Sequence, residues 1–347
     1  MLHEIDAVPA GLESVPVRNI TQIVPQPTLI HLQGRRQPAV FVSILLHGNE
    51  DVGLLAFQQL LRRYQDRQLP RSLSVFIGNV AACASGVRYL SDQVDFNRVW
   101  PGSELPITET HRLMQQVTDR ILERGVFVSI DLHNNTGLNP IYGCICDPSP
   151  AHIYLASMFS RTVVYFTRPR GVQTQAFTSH CPSVTCECGQ IGDMAGVQHA
   201  VDLIDACLHL HEFPDCDVPQ GDVHIFHTVA RIALRDGCSF GFAAESSSPR
   251  PDVVLRDDLD ALNFVELAEG ESIGVLHKQL AECFIVNDEA GRDVTSQFLS
   301  VPRASSSVSS GQRIRLRRPT MPSMFTRNHE VIRQDCLGYL MERMPIQ

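Results

Sequence analysis

A histidine and a glutamate three residues apart, His47 and Glu50, stand where an apolar, β-branched run (40–46, VFVSILL) gives way to a helical period. Leu54, Phe57, Leu61 and Tyr64 then fall on one helical face. An imidazole and a carboxylate so placed suit zinc, which takes nitrogen and oxygen ligands and needs three from protein in a catalytic site. His-x-x-Glu also arises by chance, and Glu50 alone would suit a helix start as a partner of the dipole. The decisive question is what else the chain brings to the same place. His133 follows the run 126–132 (VFVSIDL), Glu187 lies near the end of 183–188 (SVTCEC), and Asn79 follows 73–78 (LSVFIG). Each reads as the carboxyl end of a buried strand. If those strands are parallel, His47, Asn79, His133 and Glu187 converge on one rim, where open α/β sheets bind ligands.

The elements that must position these groups alternate. A helical period runs from a Thr108 cap through Leu113, Val117, Ile121 and Leu122 to a stop at Gly125. Further strands are expected at 141–146 and 163–166, with a short helix at 153–159 between them and a longer one at 194–210. Residues 1–38 carry spaced prolines and an edge-strand candidate at 29–32. Residues 79–102 show no period, read as one long loop and carry Arg88, Asp95, Asn97 and Arg98. Loops of that length in compact α/β domains are usually functional. Arg98 and Asp95 also suit a surface ion pair, and Trp100 reads as a loop anchor.

Composition shifts near residue 213, which divides the chain into an alternating β/α domain (1–213) and a mainly β domain (214–347). Residues 211–222 read as the linker. Short strands are expected at 223–233, 253–255, 272–276, 282–286 and 313–316, a polar loop at 303–312 and a closing helix at 330–341. His224 and His227 would point to opposite faces of their strand, which argues against a shared metal.

A formal net charge of −9 over 347 residues argues against nucleic acid as the main partner. A hydrophobic content of 44% supports a full core, yet no run reaches the length of a membrane span. The start of the chain lacks a basic, apolar leader, so the expected location is the cytoplasm. The 11 cysteines then read as reduced, mostly buried thiols. Cys144/Cys146 and Cys186/Cys188 are C-x-C pairs, one residue short of the usual thiolate zinc spacing.

Four motifs in order, HGNE (47–50), DFNRVWPG (95–102), IDLHNNTG (130–137) and VTCECG (184–189), resemble the zinc carboxypeptidase clan, and more closely its aspartoacylase and succinylglutamate desuccinylase branch. The likeness spans roughly residues 38–200. It implies a zinc-carboxypeptidase-like mixed sheet flanked by helices, followed by a smaller all-β domain. It implies one zinc per chain on His47, Glu50 and His133, with Glu187 as base. Arg88, Asn97 and Arg98 would anchor the substrate carboxylate, and Arg88 would also stabilise the oxyanion. The implied substrate is a small N-acyl amino acid with a free carboxylate, cleaved at its amide. A peptide-directed carboxypeptidase or amidase, and a zinc-binding relative without turnover, are the alternatives. Asp131 would serve either as a partner of His133 or as a buried structural carboxylate. Arg168 and Arg170 lie in a loop that does not align with the family's further substrate arginine. Relatives place a substrate-contacting tyrosine late in the chain, but beyond residue 165 this sequence has only Tyr339, inside the expected closing helix. The chain leaves monomer and homo-oligomer both open.

Overall fold

The computed structural model describes residues 2–214, 216–219, 221–245, 249–301 and 311–345. Positions 303–310 of the expected polar loop lie outside the described residues. The chain forms two compact units, one made of residues up to Asn134 with Ile141–Ile225, the other of Asn135–Pro140 with Phe226–Pro345.

The first unit is a mixed α/β layer. Its strands are β1 (His3–Ile5), β2 (Thr28–Leu32), β3 (Ala39–Ile44), β4 (Leu73–Ile77), β5 (Val126–Asn135), β6 (Tyr142–Ile145), β7 (Thr162–Tyr165) and β8 (Ser183–Gln190). They lie in the order β1-β2-β4-β3-β5-β8-β6-β7. β3 pairs in parallel with both β4 and β5, while β2 and β6 run against β4 and β8. Every residue of β3 and β4 is buried, as continuous apolar runs covered on both faces require.

The helices are α1 (Val52–Tyr64), α2 (Val80–Ser85), α3 (Glu109–Arg124), α4 (Pro150–Phe159), α5 (Gln173–Phe177) and α6 (Met194–His209). Gly53 brings α1 against β3, since a Cβ there would stand 2.6 Å from Ile44 Cβ. On the opposite face Met114, Val117 and Ile121 of α3 pack with Phe41, Phe76, Trp100 and Phe177. Thr108 caps α3 as expected, its N–H bonding to His111 Nδ1 at 3.0 Å, and Gly125 ends it.

The second unit is mainly β. Its strands are β9 (His224–Leu234), β10 (Phe240–Phe242), β11 (Val253–Leu255), β12 (Ser272–Leu276), β13 (Phe284–Asp288), β14 (Leu299–Ser300), β15 (Gln312–Leu316), β16 (Met321–Ser323) and β17 (Gly338–Met344). One of its sheets runs β10-β11-β12-β15-β14, and β13 pairs with β9 in antiparallel fashion. Ile232, Leu255, Ile273, Phe284 and Ile314 share its core.

Three expectations need correction. The stretch 79–102 is not all loop, because α2 occupies six of its residues, too few to show a period. α5 was missed for the same reason. The closing helix is confined to α7 (His329–Gln334), and from Gly338 the chain is strand β17, carrying Tyr339 opposite Ser323. A Cβ at Gly338 would stand 2.7 Å from Ser323 O, so the glycine serves a close approach of two strands.

Candidate metal centre

The turn after β3 builds the first half of the site. Leu45 adopts a left-handed φ of 56°, which bends the chain sharply as the strand ends, and its carbonyl accepts from Asn79 N–H at 2.7 Å. Gly48 follows His47, and a Cβ there would lie 2.2 Å from the Ala82 carbonyl carbon of α2. The glycine of HGNE is therefore needed for the close passage of α2. Asn79, one of the four strand-end residues, caps that helix by accepting from Ala82 N–H at 3.2 Å. It supports the loop from behind and has no contact with the histidines among the described hydrogen bonds.

His47, Glu50 and His133 converge, with ligand-type atoms all within 4.8 Å of one another and all three side chains buried. Glu50 bridges the two imidazoles, its Oε1 2.7 Å from His47 Nδ1 and its Oε2 2.8 Å from His133 Nδ1. Each outer Nε2 meets a carboxylate: Asp95 Oδ1 at 3.1 Å for His47 and Asp131 Oδ2 at 2.9 Å for His133. With a proton held on Nε2 by its carboxylate, each neutral ring would offer Nδ1 to an ion, as metal-binding histidines require. The donor set, its burial and this tautomer control fit a zinc-class ion.

Electrostatics agree. Burial alone would push the Glu50 carboxyl up, but His47 and His133 pull it well below the usual range. Burial would likewise lower His133, yet Asp131 and Glu50 hold it well above an ordinary histidine. The site thus gathers negative charge around two rings, the arrangement a cation neutralises.

Glu187, near the end of β8, is 6% exposed and its buried Oε2 has no hydrogen-bond partner. Burial is the main influence on it and pushes its carboxyl up to about 7. His133, Glu50 and His47 all act on it electrostatically, and it is not one of the three residues whose ligand atoms converge.

Arg88 and Asn97 also reach the site. Arg88 donates through Nε and Nη2 to Asp95 Oδ2 at 3.0 and 2.9 Å, and its carbonyl accepts from Gly48 N–H at 3.1 Å. Asn97 is buried, with Nδ2 3.2 Å from His133 Nε2. Arg98 donates to Asn97 O at 2.8 Å and adds its charge to the field at Asp95. The half-buried Arg168 and the exposed Arg170 instead converge on Glu104.

Asp95, weighed in the sequence as half of a surface pair with Arg98, is half-buried at the site: it ties Arg88 to His47, and Asn97 N–H caps it at 2.7 Å. Burial alone would raise its carboxyl, but Arg88 and His47 hold it well below the usual range. Asking which acid neutralises Arg88 in the same loop would have found it. Asn134 was missed too: it donates to Glu50 Oε2 from its backbone and accepts from Val52 N–H at the start of α1.

A mixed sheet with a His–Glu–His cluster at its strand ends defines a carboxypeptidase-type α/β fold. Residues 36–204 match the family model described as succinylglutamate desuccinylase/aspartoacylase catalytic domain, a stretch that holds every site residue above. The resemblance read from the four motifs is borne out.

Solved structures share the fold. The succinylglutamate desuccinylase/aspartoacylase from Rhodobacter sphaeroides aligns with a TM-score of 0.57 at 16% identity, over 90% of this chain and 88% of that one. Murine aminoacylase 3 aligns at 0.53 and 15%, over 89% and 97%. The succinylglutamate desuccinylase from Chromobacterium violaceum aligns at 0.51 and 15%, over 82% and 86%. No curated protein matches the sequence at a significant level. No helix among the described residues is long and apolar enough to cross a membrane.

Proposed function

We propose that this chain is a zinc-dependent hydrolase that cleaves the amide bond of a small N-acyl amino acid, releasing a carboxylate and a free amino acid. The observation that carries this reading is the buried convergence of His47, Glu50 and His133 within a deacylase-family catalytic domain. Those three residues would hold the ion. A zinc ion bound there would supply Lewis acidity, polarising a carbonyl and lowering the pKa of water towards neutrality.

The chain's own residues do the rest. Glu187 Oε2, buried and without a partner, takes the proton of the attacking water and delivers it to the departing amine nitrogen. Its raised pKa suits both halves of that exchange, since a base near neutrality can also give the proton back. Arg88, held by two bonds to Asp95, stabilises the negative charge that develops on the carbonyl oxygen. Arg98 and Asn97 hold the substrate carboxylate, Arg98 through its planar fork.

The test is a panel of N-acetyl and N-succinyl amino acids set against short peptides, run on purified, zinc-loaded protein. Turnover confined to N-acyl amino acids supports the reading. Turnover confined to peptides would overturn it in favour of a peptidase.

A further inference from the structure

A row of polar side chains lies buried behind His133, and neither the metal site nor the proposed chemistry accounts for it. Ser43 and Asp131 are partners in the parallel ladder of β3 and β5, on the face that α5 covers. Ser43 Oγ lies 2.5 Å from Asp131 Oδ1, while the other oxygen of Asp131 meets His133 Nε2. On its far side Ser43 contacts the Gln173 amide, which reaches Ser129 Oγ at 2.8 Å. Ser43, Ser129, Asp131 and Gln173 are all 0% exposed. Burying so many polar groups is unfavourable unless each is bonded, and apolar residues would fill the layer with less risk. α5 is anchored independently of this row. Phe177 packs on Phe41 at 5.1 Å between centroids, and Thr174 Oγ1 bonds Thr185 Oγ1 at 2.6 Å.

Counting donors gives the row a direction. Ser43 has one hydroxyl proton, and the carboxylate is its stronger acceptor. Turned end for end, the Gln173 amide offers Ser43 an N–H and accepts the Ser129 proton, giving up only a 3.3 Å contact with Ile130 O. Each contact in the row then pairs one donor with one acceptor, from Ser129 through Gln173 and Ser43 to Asp131. Asp131 is pinned on one oxygen, which keeps the other aimed at His133 Nε2.

We propose that Ser43 and Gln173 are positioning residues of the metal centre, acting on His133 through Asp131. This rests on the reading of His47, Glu50 and His133 as the metal site. Partners outside the ligand shell typically change metal affinity by about 10–100-fold.

The experiment measures zinc affinity by chelator competition and the visible spectrum of cobalt-loaded protein. It uses the full chain carrying Ser43→Ala, Gln173→Met, Asp131→Asn, and each of the first two combined with the third. Thermal unfolding in chelator separates loss of fold from loss of positioning, and Gln173→Met, on another element and similar in size, is the second arm should Ser43→Ala not fold. The expected result is a loss of about tenfold in zinc affinity for each single variant, with a shifted cobalt band and little further loss on the Asp131→Asn background. Unchanged affinity and spectrum in both variants, or full additivity with Asp131→Asn, overturns the inference and leaves the metal reading standing. A wild-type chain that binds neither ion overturns the metal reading and the inference together.

Discussion

At the scale of single residues the account depends on two carboxylates with opposite environments. Glu50 sits between two imidazoles and is held ionised, whereas Glu187 is buried beside the same cluster without a bond at Oε2 and is pushed up to about 7. On the proposed reading that contrast separates a ligand from a base. A general base works ionised, so kcat/KM should rise with pH along an acid limb that ends near 7 or below it, a nearby cation pulling the limb down. A pH–rate profile checks this, and a flat profile across the acid range contradicts the assignment. His47, Glu50, His133 and Glu187 were all legible from residue type and position at strand ends. Asp95, Ser43 and Gln173 were not, because a short polar side chain in a buried network looks the same in sequence as one in a surface loop.

At the scale of elements, strand-ending turns and helix starts decide where those side chains point. Long apolar strands and the long period of α3 were legible because many residues repeat one signal. α2 and α5 were not, since a six-residue and a five-residue helix hardly complete one period. With α2 missed, Asn79 stood only as one of four strand-end residues, whereas it caps that helix. Replacing Asn79 with alanine should therefore lower stability by about 0.5–2 kcal/mol while leaving zinc affinity near the wild-type value. Denaturant unfolding and chelator competition on the same variant separate the two effects; a large loss of zinc affinity at unchanged stability would return Asn79 to the site. Gly48→Ala tests the passage of α2 against HGNE. Its methyl would meet backbone at 2.2 Å, and the variant should lose at least about 1–3 kcal/mol. The closing helix failed as an expectation because its second half is recruited by β16, a tertiary pairing that no local pattern announces.

At the scale of the whole molecule, pH acts on the first unit through histidines far from the centre. Burial is the main influence lowering both His31 and His152 below the ordinary histidine value of 6.5. Each is therefore kept neutral in the folded chain and protonates more readily once unfolded. Their stabilising contribution is complete above about pH 6.5 and is lost as pH falls through the lower folded values. Replacing either with glutamine should flatten the acid side of the stability curve relative to wild type, as read from denaturant midpoints measured through mildly acidic pH. An unchanged slope in both variants would show that these rings do not set it. The central claim, that a zinc centre of His47, Glu50 and His133 works with Glu187 on an N-acyl amino acid, is tested most directly by one paired measurement. Zinc content and turnover of the N-acyl amino acid panel are determined side by side for the wild type and Glu187→Gln. The account predicts one zinc per chain in both and a fall in kcat of about 10²–10⁴-fold in the variant. Full turnover by zinc-loaded Glu187→Gln, or no bound zinc in the active wild type, would contradict it.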